Sequence, residues 1–355
     1  MDINQILCDA VEKNASDLFI IAGSPISYRI GVRIVPVNDE KLSADAAREM
    51  IGSVYALTDS QRTMDHLREH GDDDFSFSIR NVGRFRVNAY KQRGSYAAVM
   101  RVVRFDLPDP AALSIPDSVI RLSEKKRGLV LITGSAGSGK STTLACIIDR
   151  INRTRNSHII TIEDPIEYLH RHDKSIVSQR EVQEDTDSYL SALRAALRQS
   201  PNVVLLGEMR DFETISVAMT AAETGQLILS TLHTVGAANT IDRIIDVFPP
   251  NQQQQIRVQL SMVLEAVVSQ QLIPTKDGRL VPAFEIMMVN SAIRNLIREA
   301  KIHQIDNVIY SSADEGMISM DASILNLYKQ GVIDETSAKL YCVNSELVAK
   351  RLQGR

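Results

Sequence analysis

Residues 129–142, LVLITGSAGSGKST, constrain this chain more than any other stretch: an apolar run of strand length passes directly into G-x-x-x-x-G-K-S, and a helical pattern follows over 142–151. Gly134, Gly137 and Gly139 let the backbone turn where a Cβ clashes, so successive N–H groups point at phosphate oxygens from a helix N-terminus. Lys140 then reaches the β- and γ-phosphates, and the Ser141 hydroxyl is a ligand for Mg2+. The expected nucleotide-binding residues are Gly134, Ser135, Ala136, Gly137, Ser138, Gly139, Lys140, Ser141 and Thr142, with ATP and Mg2+ as cofactors. A strand before the motif and a helix after it separate this match from a chance glycine-rich turn.

On either side of that loop the chain has two rhythms. Residues 1–104 alternate short strand patterns (17–21, 74–79, 85–90 and 97–103) with helices, starting with an amphipathic one over 1–12, and imply a small α+β domain. Pro108, Pro110 and Pro116 then interrupt hydrogen bonding, which places a linker and hinge at 105–120. From residue 121 to about 290, apolar strands (129–133, 158–162, 203–206 and 227–231) alternate with helix-length segments. That is the pattern of an α/β domain with a parallel sheet and a site at the strands' carboxyl ends. A hairpin over 270–273 and 280–288 turns at Asp277-Gly278, and 291–355 reads as a helical tail.

Three strand ends carry candidate chemistry. Residues 203–208, VVLLGE, end in Glu208, positioned as a strand beside the phosphate loop would place an acid for Mg2+. Residues 159–164, IITIED, deliver Glu163 and Asp164, of which Glu163 is the better base for the attacking water, though side-chain alternation does not choose between adjacent acids. Residues 229–234, LSTLHT, end in Thr231, His233 and Thr234, with His233 placed to sense the γ-phosphate. Among the arginines at 80, 84, 86, 93, 101 and 104, most suit a solvated face, while Arg86 and Arg101 suit neutralisation of transition-state charge.

Composition narrows the partner. A formal charge of −4 and an aromatic content of 5% supply neither a basic field nor a base-stacking platform, which argues against a nucleic-acid motor. No apolar run approaches membrane-spanning length and no export signal is expected. Cys8, Cys146 and Cys342 are too dispersed for a disulfide framework or a cysteine zinc site, which fits a reducing cytoplasm.

Taken in order, residues 134–142, 162–167 (IEDPIE), 207–211 (GEMRD) and 230–234 (STLHT) resemble the four motifs of the secretion ATPases of type II and type IV pilus machines. The resemblance implies that Glu163 is the catalytic glutamate of the Asp box, Glu208 the Walker B glutamate and His233 the His-box residue. Within that superfamily the chain resembles the PilT family of type IV pilus retraction (twitching motility) ATPases over nearly its whole length, including residues 16–25, 84–88, 92–94 and the late signature 292–299, AIRNLIRE. In that signature Ile293, Leu296 and Ile297 are expected to pack while Arg294, Arg298 and Glu299 stay available for contact. Ser135-Ala136 stands where the family usually has Pro-Thr, and Phe19 where His is common.

The resemblance implies a homohexameric ring, with a PAS-like amino-terminal domain followed by a RecA-like ATPase domain. It implies ATP between the two domains, with Arg86 and Arg101 approaching its phosphates. It further implies a cytoplasmic protein, peripheral at the inner face of the membrane, that meets an integral platform protein of the pilus base without inserting itself and without binding nucleic acid. Assembly and export members of the superfamily usually carry an extra amino-terminal domain and a paired-cysteine zinc insertion, neither of which is expected here. A RecA-like nucleic-acid motor and a non-hydrolysing scaffold are the remaining alternatives, and the filled catalytic positions oppose the scaffold.

Overall fold

A computed structural model describes residues 2–31, 33–58, 62–103 and 107–352. It divides into two units, Met1–Leu107 with Glu167–Leu169, and Pro108–Ile166 with His170–Arg355. Arg104, the last residue of the expected first domain, and Phe105 and Asp106, the opening of the expected linker, lie outside the described residues.

The smaller unit is a six-stranded sheet in the order β3-β2-β1-β6-β5-β4, from β1 (Asp17–Ile21), β2 (Ser27–Ile30), β3 (Arg33–Pro36), β4 (Asp72–Ile79), β5 (Gly83–Gln92) and β6 (Ser95–Val103). Helices Ile3–Glu12, Ala44–Tyr55 and Met64–His70 accompany it, and their apolar residues Ile6, Leu7, Ile51 and Leu67 share one core with Leu18, Tyr28, Phe85 and Met100. The Tyr28 hydroxyl donates to the Ile6 carbonyl at 2.8 Å, tying the first helix to β2 without leaving a buried donor unmatched. Strands β2 and β3 are absent from the sequence reading, because each is only four residues long and β3 is exposed throughout, without an apolar alternation.

The larger unit holds a seven-stranded sheet in the order β13-β12-β7-β11-β10-β8-β9. Its strands are β7 (Gly128–Thr133), β8 (His158–Glu163), β9 (Ile176–Glu181), β10 (Val203–Leu206), β11 (Leu227–Leu232), β12 (Leu264–Pro274) and β13 (Leu280–Met288). All pairs are parallel except β12 with β13. β7, β10 and β11 are buried throughout, as expected when helices cover both faces of a parallel sheet.

Two features differ from the sequence reading. β10 does not lie beside β7; β11 stands between them, so the strand carrying His233 neighbours the phosphate loop and the strand carrying Glu208 comes next. Strand order is invisible to a pattern of alternating elements, because every helical crossover reads alike. The segment from Pro108 also packs within the larger unit: Ile115 is buried, Asp117–Ile120 is helical, and the Cys146 thiol meets the Pro108 carbonyl at 3.5 Å. The division between units therefore falls at Leu107/Pro108.

Candidate active site

At the carboxyl end of β7 the chain enters the glycine-rich loop and then the helix Lys140–Thr154. Gly139 occupies the cap position at φ +90°, and no side chain caps the first turn, so its N–H groups face the loop's concavity. The Lys140 ammonium, buried at 8% exposure, donates to the carbonyls of Gly134 and Ser135, each at 2.9 Å. Ser135 contributes through its backbone, and both it and Ala136 are exposed, so the loop's grip on Lys140 does not depend on which side chains stand at 135 and 136.

Gln270 on β12 closes over two of the glycines, and its backbone makes the first of them, Gly134, obligatory. A Cβ on Gly134 would lie 2.2 Å from the Gln270 carbonyl oxygen, and one on Gly139 would lie 2.8 Å from its Nε2. Gly137 has open space and is required by conformation alone, at φ +75°. The Gln270 side chain accepts from the Thr143 hydroxyl at 2.7 Å, a buried bond that ties β12 to the helix after the loop. Sequence reasoning placed Gln270 on a strand but missed its role, because its partners Gly134 and Thr143 lie more than a hundred residues away.

The neighbouring strand ends are linked by direct contacts. Gly134 N–H donates to the Leu232 carbonyl at 3.3 Å, and the next residue, His233, brings Nε2 within 3.4 Å of Glu208 Oε2. Glu208 is 13% exposed; Arg210 binds its Oε1 at 2.5 Å, while its buried Oε2 has no hydrogen-bond donor. Thr133 Oγ1 and Ser138 Oγ, in the same strand–loop segment, are buried without partners as well. Glu163 ends β8 half-buried, accepting at Oε1 from Thr161 Oγ1 at 2.6 Å and from Gln179 Nε2 at 3.2 Å, whereas Asp164 is exposed. Tyr189 packs its hydroxyl against Gly207, and burial together with the charges of Asp164, Glu208 and Glu163 raises its pKa far above the ordinary phenol range.

Thr231 and Thr234 have local partners. The Thr231 hydroxyl donates to the Gly207 carbonyl at 2.5 Å, pinning β11 to the end of β10, and Thr234 shares a hydrogen bond with Thr240 at 2.7 Å. His233 is thus the member of its motif that faces an acid.

Arg86 and Arg101 belong to the smaller unit, where β5 and β6 place them directly opposite each other. Like charges at such a position repel. Asp17, the next residue in that cross-strand row, offsets this: its carboxylate binds Arg101 Nε at 3.4 Å and Arg29 Nε at 3.2 Å.

The late signature forms the helix Ser291–Arg298, capped by Asn290, with Ile293 and Ile297 fully buried. Arg294 departs from expectation. Its guanidinium donates to the carbonyls of Ser261 at 2.6 Å and Met262 at 3.0 Å, and pairs with Glu265 at 3.1 Å. It therefore serves the C-terminal end of the preceding helix, where a cation is favoured. Glu299 pairs with Lys301 at 2.7 Å, and Arg298 bonds Asn295.

A cavity of about 630 Å³ adjoins the loop, lined among others by Gly139, Thr142, Gln270, Phe284 and Asn326. Among the described residues no cluster of three or more His, Cys, Asp or Glu is arranged to hold a metal, and no helix is long and apolar enough to cross a membrane.

Residues 1–311 match the family described as type II/IV secretion system protein. The twitching motility protein of Neisseria gonorrhoeae is 46% identical over 311 residues, covering 87% of this chain and 82% of the relative. The type IV pilus retraction ATPase PilT of Pseudomonas aeruginosa is 43% identical over 339 residues, covering 96% and 97%. The crystal structure of the pilus retraction motor PilT with bound ADP superposes with a TM-score of 0.89 at 45% identity, covering 99% of each chain. The chain belongs to the type II/IV secretion system protein family, within which it groups with PilT.

Proposed function

We propose that this chain is an ATP-hydrolysing motor that drives retraction of a type IV pilus and thereby twitching motility. The observation that carries the reading is the pairing of a glycine cradle closed by Gln270 with Glu208, whose buried Oε2 makes no hydrogen bond and meets His233 Nε2 at 3.4 Å. A phosphate loop answered by a strand-end acid is the constellation for phosphoryl transfer. The names and full-length coverage of the relatives direct that chemistry toward a pilus.

Residues 134–142 hold the phosphates, and the adjoining cavity has room for the base and sugar. Ser141 and Glu208 suit Mg2+, which takes few protein ligands beside phosphate oxygens and water and favours a carboxylate oxygen that no hydrogen bond occupies. Held there, Mg2+ would supply positive charge against the phosphate oxygens. Lys140 exchanges its two loop carbonyls for phosphate oxygens. Glu163, held in place by two donors, accepts the proton of the attacking water. His233 reads the γ-phosphate through its contact with Glu208, and Arg86 and Arg101 supply positive charge to the transition state.

In this reading the chain works as a homohexamer in the cytoplasm, docked on an integral platform protein at the pilus base. Deleting the gene in its own cell and complementing with wild type or Lys140→Ala tests it. More pili without retraction, uncorrected by Lys140→Ala, supports a retraction motor; loss of pili identifies an assembly motor instead.

A further inference from the structure

The edge strand β9 holds the turn that carries Glu163. Gln179 and Glu181 are two residues apart and so project to the same face of the sheet. Their register partners are Thr161 and Glu163 of β8. Glu181 Oε2 accepts from the Ile166 N–H at 3.0 Å, and Glu181's own N–H donates to Asp185 at 2.7 Å. Gln179 Oε1 accepts from the His170 N–H at 2.7 Å, and its Nε2 donates to Glu163 Oε1 at 3.2 Å. Both ends of the 163–166 turn are therefore fastened to one strand.

The orientation of the Gln179 carboxamide follows from these partners. His170 offers a donor, which must meet the amide oxygen; Glu163 offers an acceptor, which must meet the amide nitrogen. A reversed amide would set donor against donor and oxygen against carboxylate. The Thr161 hydroxyl donates to the same Oε1 at 2.6 Å, so two donors converge on one oxygen of the carboxylate. Two hydrogen bonds hold a carboxylate in one rotamer, and a general base must sit within hydrogen-bond reach of the proton it abstracts.

We propose that Gln179 is a positioning residue for hydrolysis, orienting Glu163 through a carboxamide whose direction is set by the His170 backbone. This rests on Glu163 being the base. Two substitutions separate orientation from simple stitching of the loop. Gln179→Glu keeps an acceptor for His170 and nearly the same volume but puts a second carboxylate against Glu163. Gln179→Met removes both bonds at similar volume.

The test measures kcat and KM for ATP, affinity for a fluorescent ADP analogue and thermal midpoint in the full-length chain. Expected for Gln179→Glu is a fall in kcat of at least about tenfold with nucleotide affinity within about twofold of wild type, the mark of an interaction used in the transition state. Gln179→Met should lower kcat similarly, and it decides the matter if the Glu variant does not fold. Wild-type kcat in both variants, with Glu163→Gln inactive, overturns the positioning role and leaves the base in place. Wild-type kcat in Glu163→Gln overturns the base and this proposal together.

Discussion

The Thr143 hydroxyl donates to Gln270 Oε1 at 2.7 Å, joining the helix after the phosphate loop to a strand that begins more than a hundred residues later. The backbone of the same glutamine crosses over Gly134 so closely that no side chain fits there. The loop is thus shaped from outside as well as by its own glycines.

Gln270→Leu should leave Thr143 without a buried partner and weaken ADP binding by about tenfold, the equivalent of the ~1–3 kcal/mol expected for an unmatched buried polar group. Gly134→Ala should abolish binding, whereas Gly137→Ala, which meets open space and only the cost of a left-handed φ, should be milder. Titration with a fluorescent ADP analogue ranks the three; equal losses at 134 and 137 would contradict the role given to Gln270.

Glu208→Gln keeps the shape of the site and removes the charge beside His233. Turnover should drop by at least ~100-fold, as for loss of a charge that acts on the transition state, while ADP affinity stays within a fewfold. Parallel loss of binding and turnover would make Glu208 a structural acid.

Arg294→Ala should destabilise the larger unit by about 1–3 kcal/mol, because the Ser261 and Met262 carbonyls and Glu265 each lose a donor. Arg298→Ala, a few positions on and exposed, should change stability by less than about 0.5 kcal/mol. Thermal unfolding of the two variants side by side checks this, and similar midpoints would refute the assignment.

His170 is largely buried, with Nδ1 unpartnered, and burial lowers its pKa from 6.5 to about 4. Between those values the unfolded chain takes up a proton that the native chain does not. Stability from this group is therefore whole above pH 6.5 and declines as pH falls toward 4, by on the order of 3 kcal/mol. Denaturant unfolding at pH 7.5 and 4.5 should show a smaller acid loss in His170→Phe than in wild type; identical losses would place the imidazole in water.

The strands 129–133, 158–162, 203–206 and 227–231 were legible because each is a predominantly apolar run between helical periods, the mark of a sheet covered on both faces. β9 was not, since only Val177 and Glu181 of its six residues are buried and its polar side chains serve the Glu163 turn. Arg294 was misjudged for a related reason. Amphipathic spacing shows that a charge sits beside an apolar stripe, but not that the end of another helix waits there with unmatched carbonyls.

The sequence by itself determined the phosphate loop, the acids and histidine at three strand ends, and the division into an α+β unit and an α/β unit, because each rests on local spacing that backbone geometry converts directly into structure. Only the tertiary structure decided that β11 separates Glu208 from the loop, that the Gln270 backbone makes Gly134 obligatory, and that Gln179 and Thr161 converge on Glu163. Those are contacts between residues distant in sequence, set by strand order and register, and no local periodicity encodes either.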